Sequence, residues 1–344
     1  MADVQKNFLD FHEKIKLDDE NQILREKRDI ILEVLKNNIS DDAKPYNTFL
    51  HGSYSMGTGI KPIDGDYDID VGVRFEINKD DYTDPVVPKK WVYDAVNGHT
   101  KSVEFKNSCI KVQYQKNGEP LYHVDLSVYA NKNDDGKMYL AKGKLNSSSE
   151  NKFWEKSNPP ELKETIHARF VDTSDRKQLK RCIRYLKRWK DLKFSSSGNV
   201  APAGIALTVA AYDYFTANYT LDIFTNERNY NDLLALKEMI EKVLNNFRYV
   251  FDENEGNMVE RLVVTMPIEP YNDLLEKMSN NNMIEFKNKL ITLKEKLEKA
   301  HNEVDPVVAC EELNKVFGDD FIIPEKKENA KYKRQAVAGN LEGA

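Results

Sequence analysis

Four aspartates at every second position, Asp64, Asp66, Asp68 and Asp70, follow a Gly-, Ser- and Thr-rich stretch that begins His51-Gly52-Ser53-Tyr54, and they run into Val71-Gly72-Val73. In a strand, residues two apart share a face, so Asp68 and Asp70 project together while Ile69, Val71 and Val73 turn toward a core. Adjacent carboxylates repel, and a divalent cation between them removes the repulsion. Such a pair suits phosphoryl chemistry with two metals, in which hard oxygen ligands hold Mg²⁺ about the attacking and leaving oxygens. Upstream, Gly52 lets backbone N–H groups approach a phosphate, and the Ser53 hydroxyl donates to the same group. A calcium loop counted from Asp64 fails, because its sixth position is Ile69 rather than Gly and its twelfth is Phe75 rather than Glu. An acidic, solvated turn before a strand satisfies the same spacing on its own.

Two strands must position these groups. Residues 46–50 form an apolar approach to Gly52. Residues 108–115 alternate, 116–120 make a turn, and 121–129 return with Val124, Leu126 and Val128 on one face and His123, Asp125, Ser127 and Tyr129 on the other. Asp125 would then be a third carboxylate beside Asp68 and Asp70, able to ligate a metal at an attacking hydroxyl and help deprotonate it. His123 and His51 are read as structural.

Around this core, residues 5–38 read as one long amphipathic helix, bent near Leu17-Asp18-Asp19, that serves as a spine between two lobes. Residues 145–170 read as a connector. From Asp175 an apolar stripe (Leu179, Cys182, Ile183, Leu186, Trp189) and a basic one (Lys180, Arg184, Lys187) share a helix; the basic stripe is either a solvated face or a counter-charge for a triphosphate. Ser195 to Asn199 form a loop, and Pro202 opens a helix that is apolar all round. Further helices are expected at 228–249, 270–300 and 304–316, then a polar, Lys-rich, flexible tail from 325. The expected organisation is a spine plus catalytic core (1–170), a helical lobe (171–324) and a tail (325–344).

The 344 residues suffice for two lobes, and Lys+Arg 51 against Asp+Glu 57 gives a net charge of −6, so no global basic field draws the chain to nucleic acid. Cys109, Cys182 and Cys310 lie far apart, which suggests neither a zinc site nor a disulfide framework. With no basic leader and no apolar run near ~20 residues, a cytoplasmic protein without membrane contact is expected.

Gly-Ser followed by Asp-x-Asp resembles the signature of the DNA polymerase β-like nucleotidyltransferases. Together with Asp125 in His-Val-Asp-Leu-Ser, the Arg184-Tyr185-Leu186-Lys187-Arg188-Trp189 helix and Phe317-Gly318-Asp319-Asp320-Phe321, the chain resembles a bacterial cGAS/DncV-like nucleotidyltransferase, a CD-NTase of the SMODS type. The resemblance covers residues 5–324. It implies an α+β, bilobed fold with a mixed β-sheet catalytic core and a mainly helical C-terminal lobe. It also implies synthesis of a cyclic di- or trinucleotide from NTPs, as an anti-phage (CBASS) messenger. Asp68 and Asp70 would bind both Mg²⁺ ions, with Mn²⁺ able to substitute, and Asp125 the metal at the acceptor hydroxyl. Ser53 and Lys187 would hold the donor triphosphate, with Gly52, Tyr54 and Arg184 also at the nucleotide.

One departure is Gly204-Ile205, where relatives often carry Ser-Tyr or Ser-Phe; Ser195, Ser196 or Ser197 would have to supply that hydroxyl. No double-stranded DNA activator is expected, because zinc-ligand spacing is missing. The enzyme is expected to be a monomer or partner-regulated. Conjugation machinery acting on the Gly343-Ala344 end is weighed against a merely disordered terminus. The competing readings are an RNA-tailing or small-molecule nucleotidyltransferase, and a catalytically silent nucleotide-binding protein.

Overall fold

The computed structural model describes residues 2–17, 21–195, 200–253 and 255–325. The loop serines Ser196 and Ser197 and the tail beyond Glu325 lie outside the described residues. Among the described residues no helix is long and apolar enough to cross a membrane.

The amphipathic pattern over residues 5–38 forms two helices rather than one, α1 (Gln5–Ile15) and α2 (Asn21–Asn38). The destinations of their apolar stripes explain the break. Phe8, Phe11 and Ile15 enter one core, and Leu24, Ile31 and Leu35 enter another. Between the helices Lys16 pairs with Ile60 in an isolated bridge, and the Lys61 N–H donates to the Ile15 carbonyl at 2.8 Å. One continuous helix cannot direct both stripes inward and also make this turn.

Next come β1 (Tyr46–Leu50), a five-residue helix α3 (Gly52–Met56) where the composition suggested a loose loop, and β2 (Tyr67–Phe75). Then follow α4 (Val86–Val96), β3 (Ser102–Phe105), β4 (Ile110–Lys116), β5 (Glu119–Ala130), β6 (Tyr139–Lys142) and β7 (Phe153–Lys156). The sheet runs β1-β2-β5-β4-β3, with β6 on the far end of β5 and β7 on β6. β2 and β5 are parallel and every other pair is antiparallel, so the sheet is mixed. Its inner face, Ile69, Val71, Val73, Val124, Leu126 and Val128, is buried with Leu24, Ile31 and Leu35 of α2 and Val92 and Val96 of α4. On the other face Gly72 lies under the Phe49 ring, where a Cβ would meet ring carbons at 2.2 and 2.3 Å.

The stretch read as a connector holds β7 and a helix, α5 (Pro159–Ala168). Asn158 accepts from the Glu161 N–H and proline occupies the first turn, which together start a helix inside that stretch. The second lobe is built from α6 (Thr173–Lys193), α7 (Gly204–Tyr214), β8 (Tyr219–Leu221), β9 (Arg228–Tyr230) and α8 (Asp232–Asn245). It continues with β10 (Arg248–Asp252), β11 (Asn257–Arg261), α9 (Asn280–Asn302) and α10 (Pro306–Phe317). Two small hairpins thus interrupt a lobe expected to be helical over 228–249, and the next helix begins at 280 rather than 270. The caps set these starts: the Asn231 side chain accepts from the Leu234 N–H, and that of Ser279 from the Asn282 N–H.

The Phe-Gly-x-x-Phe segment closes this lobe. Gly318 ends α10 at φ 68°, and Phe317 and Phe321 turn back onto Phe8 and Phe11, with the Phe8 and Phe321 rings 5.1 Å apart. Tyr185 of α6 stacks on Phe11 at 5.3 Å, and its hydroxyl donates to the Phe8 carbonyl at 2.8 Å. Arg181 of α6 grips the fully buried Asp232 with two hydrogen bonds of 2.6 and 2.7 Å.

Candidate active site

Strand register assembles the site. In the parallel β2–β5 pair Asp68 lies beside His123 and Asp70 beside Asp125, all four on the face away from the α2 and α4 core. His123 Nε2 is 3.3 Å from an Asp68 oxygen, and Nδ1 is 3.0 Å from Asp66 Oδ1. Asp66 is held in turn by the Gln113 amide at 2.9 Å, with Lys111 at 3.5 Å. Ligand atoms of Asp68, His123 and Asp125 all lie within 4.8 Å of one another.

Gly52 begins α3 directly against Asp70. Its φ is +66°, and a Cβ there would sit 1.8 Å from Asp70 Oδ2, so no other residue fits without moving the carboxylate. Gly52→Ala is expected to lower kcat/KM at least ~100-fold by shifting Asp70, since a displacement near 1 Å has that effect on a preorganised site. Pyrophosphate release at matched enzyme concentration checks this, with circular dichroism to confirm the fold.

A cleft of about 490 Å³ opens over these residues, lined by Gly52, Ser53, Asp68 and Asp70 on the sheet side and by Lys187, Lys190, Gly204, Ile205 and Thr208 on the helical side. Pro159 and Leu162 of α5 form part of the wall. Asp125 stands next to Asp70 on the neighbouring strand but is not part of the cleft lining. Tyr54 and Arg184 are not brought to the cleft lining. The Tyr54 hydroxyl accepts from Arg25 at 2.9 Å. Arg184 donates to the carbonyls of Gly57 at 2.8 Å and Gly59 at 3.1 Å, and meets His12 Nε2 at 2.9 Å.

The basic stripe of α6 therefore acts mostly on backbone. Arg184 takes the Gly57 and Gly59 carbonyls, Lys187 reaches Thr58 O at 3.1 Å and Oγ1 at 3.3 Å, and Arg188 takes the Lys61 carbonyl at 2.8 Å. These cations fix the loop that follows Ser53. Of the three, Lys187 also faces the cleft.

Electrostatics mark the carboxylates as a site with excess negative charge. Burial, then the charges of Asp68 and Asp125, push the Asp70 carboxyl up to about 8. Burial and Asp68 raise Asp125 as well, and its Oδ1 is buried with no hydrogen-bond partner among the described residues. Burial alone would lower His123, but hydrogen bonds and charges from Asp68 and Asp66 outweigh it and raise the imidazole to about 9. Burial lowers His51, whose Nε2 is also unpartnered, to about 4, so its ring is neutral near pH 7. Burial and the nearby Lys190 and Arg184 bring Lys187 down to about 7. Clustered acids with an orphaned buried oxygen fit divalent cations, because a cation satisfies both the repulsion and the unused lone pair.

Comparison with known proteins agrees with this geometry. The family model described as cyclic GMP-AMP synthase DncV-like, nucleotidyltransferase domain, matches residues 47–129, the span from β1 to the end of β5. A curated relative, a cyclic GMP-AMP synthase of Escherichia albertii, is 28% identical over 170 residues, which are 47% of this chain and 35% of that protein. The match thus spans only about a third of the relative's length.

Among solved structures, the Bradyrhizobium diazoefficiens CD-NTase CdnG, in complex with GTP, superposes with a TM-score of 0.67 at 13% identity, over 92% of this chain and 96% of that one. Escherichia coli MS115-1 CdnC with ATP gives 0.65 at 17% identity, over 92% and 98%. Vibrio cholerae DncV in its 3′-deoxy GTP form gives 0.64 at 15% identity, over 90% and 92%. Identities this low establish the fold alone. Residues 47–129 therefore match the DncV-like nucleotidyltransferase domain, within a chain that has the fold of the bacterial CD-NTases.

Proposed function

We propose that this protein is a cyclic oligonucleotide synthase that joins NTPs into a cyclic di- or trinucleotide with release of pyrophosphate. The observation that carries the reading is the convergence of Asp68, Asp70 and Asp125 on one sheet face under a cleft that also presents Gly52, Ser53 and Lys187. The solved relatives of the same fold that hold GTP or ATP support NTPs as substrates.

Asp68, Asp70 and Asp125 would hold two divalent cations, Mg²⁺ or Mn²⁺, which when bound supply charge neutralisation at the phosphates. Ser53 and the N–H groups at the start of α3 lie where a donor triphosphate can be oriented, and Lys187 adds positive charge from the opposite wall. The acceptor hydroxyl would attack the α-phosphorus in line with the departing pyrophosphate, and the ionised Asp125 carboxylate, which burial makes more basic than an exposed one, would accept the hydroxyl proton. Arg184 and Arg188 act by fixing the 57–61 loop. A role in a cytoplasmic anti-phage (CBASS) response is part of the same proposal.

The test is to incubate the full chain with all four NTPs, one labelled at a time at the α-phosphate, with Mg²⁺ or Mn²⁺, then phosphatase and thin-layer separation. A phosphatase-resistant product that disappears in Asp68→Ala/Asp70→Ala is expected. Product only on added RNA or an added small molecule, or nucleotide binding without turnover, would overturn it in favour of a tailing enzyme, a small-molecule nucleotidyltransferase or a nucleotide sensor.

A further inference from the structure

We propose that His123 is a metal-donor residue of this site, and that the Asp68–His123–Asp125 cluster takes a first-row transition dication in preference to Mg²⁺. The inference rests on the nucleotidyltransferase reading above and adds a nitrogen donor to the three carboxylates.

Three observations carry it. First, His123 Nε2, Asp68 and Asp125 present donor atoms within 4.8 Å of one another, on adjacent parallel strands whose register is fixed by the sheet. Second, the far side of the ring is already anchored: Nδ1 is 3.0 Å from Asp66 Oδ1, and Asp66 is itself held by the Gln113 amide at 2.9 Å. A histidine that ligates a metal almost always donates its other N–H to a carboxylate in this way, which sets the tautomer and aims the free nitrogen. Third, Asp125 Oδ1 is buried and has no hydrogen-bond partner among the described residues. An oxygen so placed needs a cation or a water.

The donor chemistry follows. Mg²⁺ takes oxygen ligands in near-ideal octahedra and keeps its waters, whereas imidazole nitrogen favours transition dications. One imidazole with two carboxylates is a mixed nitrogen–oxygen set, and it biases this position toward ions such as Mn²⁺. On binding, any proton that Nε2 carries leaves to solvent, and Asp68 and Nε2 exchange their mutual 3.3 Å contact for contacts to the metal. Asp66 is a positioning residue for the ring.

Mn²⁺ alone, titrated into the full chain, is the probe. Electron paramagnetic resonance counts the bound ion, and spin-echo modulation reports whether a ¹⁴N nucleus is coupled to it. Wild type is expected to show histidine ¹⁴N coupling and to bind Mn²⁺ at least ~10-fold more tightly than Mg²⁺ in competition. His123→Gln should lose the coupling and weaken Mn²⁺ by ~10–100-fold with little change for Mg²⁺, and Asp66→Asn should weaken Mn²⁺ while the coupling persists or diminishes. The wild-type spectrum is decisive even if a variant misfolds. Bound Mn²⁺ that is lost in Asp68→Asn but shows no ¹⁴N coupling in wild type overturns the histidine assignment and leaves the synthase reading intact. No bound Mn²⁺ at all overturns both.

Discussion

Asp70→Asn is expected to abolish nucleotidyl transfer, by at least ~10³-fold, and to raise the thermal midpoint of the metal-free protein. The activity loss follows from removing a charged ligand at the reacting phosphates, worth several kcal/mol of transition-state stabilisation at ~1.4 kcal/mol per tenfold. The stability gain has the opposite origin. Asp70 is enclosed by Gly52 on one side and shares its strand face with Asp68 and Asp125, so in the absence of cations its charge is opposed by burial and by two like charges. Asn keeps the shape and removes the charge.

The sign with pH is definite. A carboxyl raised to about 8 binds more protons in the folded chain than in the unfolded one between its ordinary range and about 8, so metal-free wild type loses stability as pH rises through that window. Melting curves of wild type and Asp70→Asn at pH 5 and pH 8.5, with a chelator, should diverge at the higher pH by roughly a few kcal/mol. Equal slopes would show that Asp70 does not carry the repulsion.

Lys187→Met should likewise separate function from stability. The ammonium is buried and, among the described residues, meets Thr58 O and Oγ1 at hydrogen-bond distance, neither of them charged. Burial lowers it to about 7, well under the usual lysine range. Between about 7 and the usual lysine range near 10.5, the unfolded chain binds a proton that the folded chain releases, so wild-type stability rises with pH across that window. Below about 7 the full desolvation cost remains. Methionine fills the same space without a charge and should stabilise the protein near pH 7 by roughly a few kcal/mol, flattening the pH slope.

Activity should move the other way. A charge-assisted contact to phosphate is worth roughly 1.5–3 kcal/mol, so kcat/KM should fall by about 10–100-fold. Steady-state kinetics with scanning calorimetry at pH 6.5 and 9 checks both. Destabilisation at pH 6.5 together with unchanged kinetics would mean that Lys187 serves only to clasp Thr58.

The central strands of the sheet were legible because their information is local and period two. Asp68 and Asp70 with Ile69, Val71 and Val73 declare which face is which within one strand, and 121–129 repeats the pattern around Asp125. The mixed α+β architecture followed from the same alternation. Where the sequence misled, the deciding contact was distant in the chain. The helix over 5–38 breaks because Ile15 and Leu24 belong to different cores, and no window of residues reveals that.

The basic stripe of α6 looks the same whether it faces phosphate or carbonyls. Only the fold shows Arg184 and Arg188 occupied by Gly57, Gly59 and Lys61, and Arg181 by Asp232. His123 lay in plain view two residues before Asp125, on the same strand face. What sequence could not supply was Asp66 behind its ring, because that contact joins β5 to the loop before β2.

The seating of α1 bears on when the molecule can first exist during synthesis. Phe8 and Phe11 are covered by Phe317 and Phe321, the Ala2 N–H donates to the Glu303 carbonyl at 2.7 Å, and Lys14 reaches the Asp319 carbonyl at 3.0 Å. Residues 2–15 therefore lack the surface they bury against until some three hundred further residues have been made. The sheet, closed by residue 156, can form meanwhile, but the helical wall of the cleft is complete only when the last aromatic pair emerges. A chain truncated before that point would carry the carboxylates without the lobe that faces them.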